Sequence, residues 1–193
     1  MSIMEEKESE ELSFPDWEHD FDQPPKLCRV LKYDVVLPSS YNRLKARLST
    51  FEPRDDDIWV VTFPKSGTTW TQEIVSFIIN RCDMDKNRVL LDQRFPFFEA
   101  DLFYSTPIRP TENVVDWLNH AESPRLIKSH LPLNVLPNKV NERCKIIYMA
   151  RNPKDVMVSM FYFYKMLRSK GFRGEFSSFV AYFMQDKGVK LLL

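Results

Sequence analysis

The chain has 193 residues, with 27 basic and 27 acidic side chains for a formal net charge of zero, and 44% of its residues are apolar. That length suits one domain with a real core. The charge balance excludes a whole-protein attraction to nucleic acid or acidic membrane, so an anion site must come from local placement of Lys, Arg and backbone N–H groups.

Residues 1–31 read as an acidic, flexible N-terminal tail: Glu5, Glu6, Glu8, Glu10 and Glu11 crowd together with only Lys7 opposing. Phe14, Trp17 and Phe21 leave room for part of this tail to lie against the body. The opening MSIMEEKESEELSF lacks the basic start and apolar stretch of a signal peptide. No run approaches the ~20 apolar residues of a membrane span. A cytoplasmic protein without membrane contact is expected. Cys28, Cys82 and Cys144 are scattered, with no CxxC pair or Cys/His cluster, which predicts reduced thiols and no zinc site.

The domain proper is expected over 32–193. Tyr41 to Leu48 is a short helical candidate, and a charged turn, Arg54 to Asp57, leads into the apolar β-branched run Ile58 to Phe63, which suits a strand buried on both faces. PKSGTTW follows, then QEIVSFIIN, where Ile74, Val75, Ile78 and Ile79 recur with helical spacing. Phe95 to Phe98 is an aromatic stretch in a Pro-containing loop, and Asn113 to Ala121 looks helical. RLIKSHLP (Arg125 to Pro132) reads as a short strand running into a turn, and CKIIYMAR (Cys144 to Arg151) as a second strong strand. A helix should begin near Pro153 or Lys154, with Val156, Met160, Phe163, Tyr164 and Leu167 on its packed side. Strands alternating with helices predict an α/β domain: a parallel sheet with flanking helices.

Three segments carry chemistry. TFPKSGTTW (Thr62 to Trp70) lies where a strand passes into a helix, the position at which parallel sheets bind ligands. Gly67 allows close backbone approach, Ser66, Thr68 and Thr69 add hydroxyls, Lys65 adds a mobile charge, and Trp70 offers a flat face to a purine. The Walker A pattern GxxxxGK[ST] is absent, and alone this turn reads equally well as an ordinary helix cap. Arg151, at a strand end, suits bidentate phosphate binding or a helix-start pair with Asp155. His130 closes KSH; a lone His there is more often structural, yet imidazole suits proton removal near neutrality. His19 and His120 read as surface residues.

FPKSGTTW resembles the 5'-phosphosulfate loop of the cytosolic sulfotransferases, usually TYPKSGTTW, with Phe63 in place of Tyr. ARNPKDVMVS, with Arg151 and Ser159, resembles the family's ARNxKDxxVS, and KSHLP (Lys128 to Pro132) its K[ST]HLP. The resemblance implies a P-loop-like nucleotide-binding core and an enzyme that moves a sulfuryl group from the co-substrate PAPS (3'-phosphoadenylyl sulfate, leaving PAP) to a hydroxyl or amine, without a metal. It implies that Ser66, Gly67, Thr68 and Thr69 hold the 5'-phosphate, that Lys65 contacts the leaving bridge oxygen, and that Trp70 stacks on adenine. Arg151 and Ser159 would hold the 3'-phosphate, and Ser159 would engage Lys65 when no acceptor is bound. His130 would be the general base, with Lys65 and Lys128 offsetting developing charge.

QRFPFFEA (Gln93 to Ala100) resembles the family's RVPFLE, with Phe97 as a wall of the acceptor pocket or plain core packing. Phe95, Phe98, Phe103 and Tyr104 are further candidates to line a cavity for a small lipophilic acceptor, such as a phenol or steroid-like alcohol.

The resemblance runs from about Tyr33 to Met184. Relatives continue further, through a YGSW-like element, a nucleotide-contacting strand, an Arg-Lys-Gly segment and a dimerisation segment, where this chain ends in GVKLLL. The expectation is therefore a domain incomplete at its C-terminus, with a homodimer implied only for full-length relatives. The alternative is a catalytically inactive truncated product that binds nucleotide weakly or interacts with the full-length enzyme. A P-loop kinase would need the missing Walker A motif, and a Golgi polysaccharide sulfotransferase an N-terminal anchor.

Overall fold

A computed structural model describes residues 8–15, 17–102, 113–167 and 171–185. In chain order the elements are β1 (Ser9–Leu12), α1 (Trp17–Asp20), β2 (Leu27–Val30), β3 (Val35–Pro38), α2 (Tyr41–Leu48), β4 (Ile58–Thr62), α3 (Thr68–Ile79), α4 (Met84–Asn87) and α5 (Leu91–Arg94). Then follow α6 (Val114–His120), β5 (Leu126–Ser129), α7 (Val140–Arg143), β6 (Lys145–Met149), α8 (Pro153–Met166) and α9 (Phe176–Met184). The chain divides into two compact units, Asn42–Val156 and Met1–Tyr41 with Met157–Leu193.

The unit Asn42–Val156 is built on a parallel sheet of order β5-β4-β6. All five residues of β4 are buried, because the strand is flanked by a neighbour on each edge and covered on each face. On one face Ile58, Val60, Leu126 and Phe95 pack with Val75 of α3. On the other, Trp59 sits between Phe51 and Phe98, with ring centroids 5.6 and 5.0 Å away. The α/β class, the parallel sheet and the strand–loop–helix order at β4 and α3 are as the periodicity indicated.

The amino ends of the strands are fastened by a buried ion pair. Arg125 Nε and Nη2 each lie 2.6 Å from an oxygen of Asp57, and the guanidinium also donates to the carbonyls of Leu118 (2.8 Å) and Glu52 (2.7 Å). The Asp57 carbonyl accepts from Lys145 N at 3.0 Å, so the same residue ties all three strands. Every polar atom in this lock has a geometrically sound partner, which is what makes a buried pair tolerable.

The other unit carries the antiparallel sheet β1-β2-β3. The segment read from sequence as a flexible tail thus holds β1, α1 and β2 among its described residues, with Trp17, Phe21 and Leu27 buried. The cause is aromatic packing: Phe14 stacks on Trp17 at 4.6 Å, Phe21 meets Phe172 at 4.8 Å, and Tyr182 Oη donates to Asp20 at 2.7 Å. Among the described residues no helix is long and apolar enough to cross a membrane.

Candidate active site

The turn after β4 is shaped by its own sequence. Ser66 N donates to the Phe63 carbonyl at 3.2 Å, closing a four-residue turn with Pro64 second and Lys65 third. Pro64 fixes its own φ, and Lys65 takes a φ of 66°, a region that costs a non-glycine residue on the order of 1 kcal/mol. Gly67 then adopts φ 102°, which only glycine enters freely, and a Cβ there would meet nothing within 4 Å. Gly67 caps α3 without a side-chain acceptor, and the Ser66 hydroxyl is buried with no hydrogen-bond partner. A buried unpartnered hydroxyl beside an uncapped helix N-terminus, with open space over Gly67, is a donor set that a phosphate oxygen would satisfy.

Cations gather at the same loop. Arg151 Nη1 donates to the Lys65 carbonyl at 3.2 Å. Burial, and after it the Arg151 charge, lowers the Lys65 ammonium from its ordinary value. Two cations held together in this way favour an anion between them.

His130 follows β5 and lies beside the loop. Its Nδ1 is 2.9 Å from the Thr62 carbonyl and 3.1 Å from Thr62 Oγ1. A carbonyl only accepts, so Nδ1 carries the proton and Nε2 keeps its lone pair. Burial first, then the Lys128 charge, pulls the imidazole down to about 3 against the opposing Thr62 bond, so it is neutral at ordinary pH. Thr62 Oγ1 is also 2.6 Å from Thr68 Oγ1, so one threonine links the histidine to the first residue of α3.

The aromatic stretch joins the sheet edge. Phe98 N donates to the Lys128 carbonyl at 2.9 Å and Lys128 N to the Pro96 carbonyl at 3.0 Å. This register sets the Phe97 ring 4.3 Å from Lys128 Nζ and 5.3 Å, edge-on, from the His130 ring. It also delivers Glu99, a buried carboxylate, against the Ser129 hydroxyl and the His130 backbone N–H. Phe95 and Phe98 are buried in the two core layers, Phe95 with Ile58, Val60 and Val75 and Phe98 against Trp59. Phe103 and Tyr104 lie outside the described residues.

One unit therefore brings together Lys65 to Trp70, Phe97, Lys128, His130 and Arg151. Ser159 lies half-buried on α8, in the stretch of chain assigned to the other unit. Trp70 is 78% exposed and walls an open apolar groove of about 550 Å³ with Thr69, Glu73, Ile74, Phe77 and Ile78. Among the described residues no group of three or more His, Cys, Asp or Glu is placed to hold a metal ion.

Residue-by-residue reading missed Thr62 and Glu99. Thr62 ends a strand of otherwise apolar residues, and Glu99 is the one acid in RFPFFEA. A polar residue inside an apolar run was the available signal for both.

Residues 55–190 match the family model of the sulfotransferase domain. Over 141 residues the chain is 43% identical to sulfotransferase 1 family member D1 of Mus musculus, an alignment that covers 72% of this chain and 46% of that protein. A retinol dehydratase solved with retinol and PAP shares the fold, with a TM-score of 0.78 at 22% identity over 96% of this chain and 63% of that one. Mouse sulfotransferase SULT7A1, solved with PAP, gives a TM-score of 0.54 at 29% identity over 77% of this chain and 48% of its own. The chain spans about half the length of the curated relatives it matches. With the family model covering well over half of its residues, the chain belongs to the sulfotransferase domain family.

Proposed function

We propose that the chain carries the transfer site of a cytoplasmic PAPS-dependent sulfotransferase acting on a hydroxyl or amine of a small lipophilic acceptor. The observation that carries this reading is the Thr62 link. One residue's carbonyl accepts from His130 and its hydroxyl bonds Thr68, so a neutral base and an anion loop are held in register.

PAPS, when bound, supplies the sulfuryl group. Ser66 Oγ and the N–H groups opening α3 would hold its 5'-phosphate, Trp70 would offer the adenine a stacking face, and Arg151 and Ser159 would hold the 3'-phosphate. His130, proton on Nδ1, would receive the acceptor's proton at Nε2 as the acceptor oxygen or nitrogen attacks sulfur in line and the bond from sulfur to the bridging oxygen breaks, PAP leaving with that oxygen's electron pair. Lys65 and Lys128 offset charge that builds on the bridge and sulfuryl oxygens, the electrostatic role that dominates such transfers. Phe97, edge-on to His130, holds an apolar acceptor near the base.

The test is product formation from PAPS and 4-nitrophenol, with His130→Ala beside the unaltered chain. Sulfated phenol formed by the unaltered chain and reduced by at least ~100-fold in the variant is expected, the lower range for general-base removal. Equal product from both would remove His130 from the mechanism. No product from a folded, PAP-binding chain would leave a nucleotide-binding module without transfer.

A further inference from the structure

Glu99 stands against the most important groups of the site and has no role in the transfer derived above. Its carboxylate is buried, 1% exposed. One oxygen accepts from Ser129 Oγ at 2.9 Å, and the other accepts from the His130 backbone N–H. Ser129 Oγ in turn accepts from Leu131 N at 3.0 Å, so the carboxylate braces the main chain on both sides of His130. The two bonds from Pro96 and Phe98 to Lys128 fix the strand pairing that brings Glu99 here.

A buried carboxylate is costly unless its charge is used. The charged groups facing Glu99 are on β5 and the turn after it: Lys128, and His130, which is neutral. Lys128 is under opposing pulls. Burial and the Lys65 charge drive its proton off, and Glu99 holds it on. Without Glu99 the site would contain a desolvated lysine beside a second cation, the condition in which lysines become neutral.

We propose that Glu99 is a positioning residue of the transfer site: it holds the Ser129–His130 backbone in place and keeps Lys128 a cation. The two act as a proton-linked pair, in which protonating Glu99 removes the countercharge of Lys128. Burial raises the Glu99 carboxyl above its ordinary range, with the His130 N–H, Ser129 and Lys128 pulling the other way. The purpose given to the pair rests on the sulfotransferase reading; its readout does not.

The experiment follows Lys128 and Glu99 by NMR in the full chain, with ¹³C-labelled lysine and glutamate assigned through Lys128→Arg and Glu99→Gln. In the unaltered chain, Lys128 should report an inflection at the pH where the Glu99 carboxyl titrates. In Glu99→Gln, Lys128 should lose at least about tenfold in proton affinity, one pKa unit. A folded Glu99→Gln with unchanged Lys128 titration overturns the proposal. Should that variant not fold, the unaltered chain decides alone: a Glu99 carboxyl titrating like an ordinary exposed one, with Lys128 silent at that pH, overturns it equally. PAP calorimetry on the same sample separates the two readings, since absence of PAP binding with an intact Glu99–Lys128 linkage counts against the sulfotransferase reading and leaves the pair standing.

Discussion

At the amino ends of β4 and β5, Arg125 and Asp57 are both almost fully buried and meet in a two-point ion pair, with the guanidinium also bonded to the carbonyls of Leu118 and Glu52. Towards the carboxyl ends of the strands three cations lie close: burial and then the Arg151 charge lower Lys65, and burial and the Lys65 charge lower Lys128 against the pull of Glu99. One end spends its charge on holding strands together. The other keeps cations close at some cost in stability, with a strained Lys65 backbone and an unpartnered Ser66 hydroxyl alongside. Burial and charge alone therefore do not mark a functional site; what sets this end apart is like charges crowded beside an anion-ready loop.

The comparison breaks most visibly at the structural end. Arg125→Ala strands the Asp57 carboxylate, and loss of one partner of a buried pair costs about 3–5 kcal/mol. Denaturant unfolding should show this drop with or without PAP. At the other end, Lys65→Ala or Arg151→Ala removes a charge-assisted phosphate contact worth about 1.5–3 kcal/mol, roughly 10–100-fold in PAP affinity. Stability in these two variants should hold or rise slightly, because a repulsion is relieved.

A pH series sharpens the same contrast. His130 has a folded pKa depressed to about 3, so the stability it contributes is present above its unfolded value and is lost as pH falls toward 3. The slope is at most ~1.4 kcal/mol per pH unit below about 6.5. Unfolding midpoints of the unaltered chain should fall over that window, and His130→Gln should flatten the decline. The smallest effect belongs to Trp70, whose side chain is mostly exposed. Trp70→Ala should change stability by less than about 0.5 kcal/mol yet weaken PAP by about 1 kcal/mol through lost stacking.

The sheet was legible because β4 and β6 are apolar β-branched runs that terminate in turn residues, and α3 follows β4 directly. The turn after β4 and the segment around His130 stood out as local motifs, since TFPKSGTTW and KSHLP each lie within a few residues of a strand end. Glu99 was hidden because its partners Ser129 and His130 lie some 30 residues away and meet it only through the pairing of Phe97 with Lys128. Trp17 and Phe21 were underweighted for a similar reason. Acidic neighbours dominate the local composition, while the aromatic contacts that order them come from Phe172 and Tyr182 at the far end of the chain.

The central claim is that the carboxyl ends of β4 and β6 form a phosphate site, and calorimetry of PAP with the purified chain tests it most directly. Saturable binding weakened by both Lys65→Ala and Arg151→Ala, and unaffected by Arg143→Ala on the opposite end of the sheet, is the predicted result. A folded chain that takes up no PAP, or binds it equally in all four forms, would contradict it.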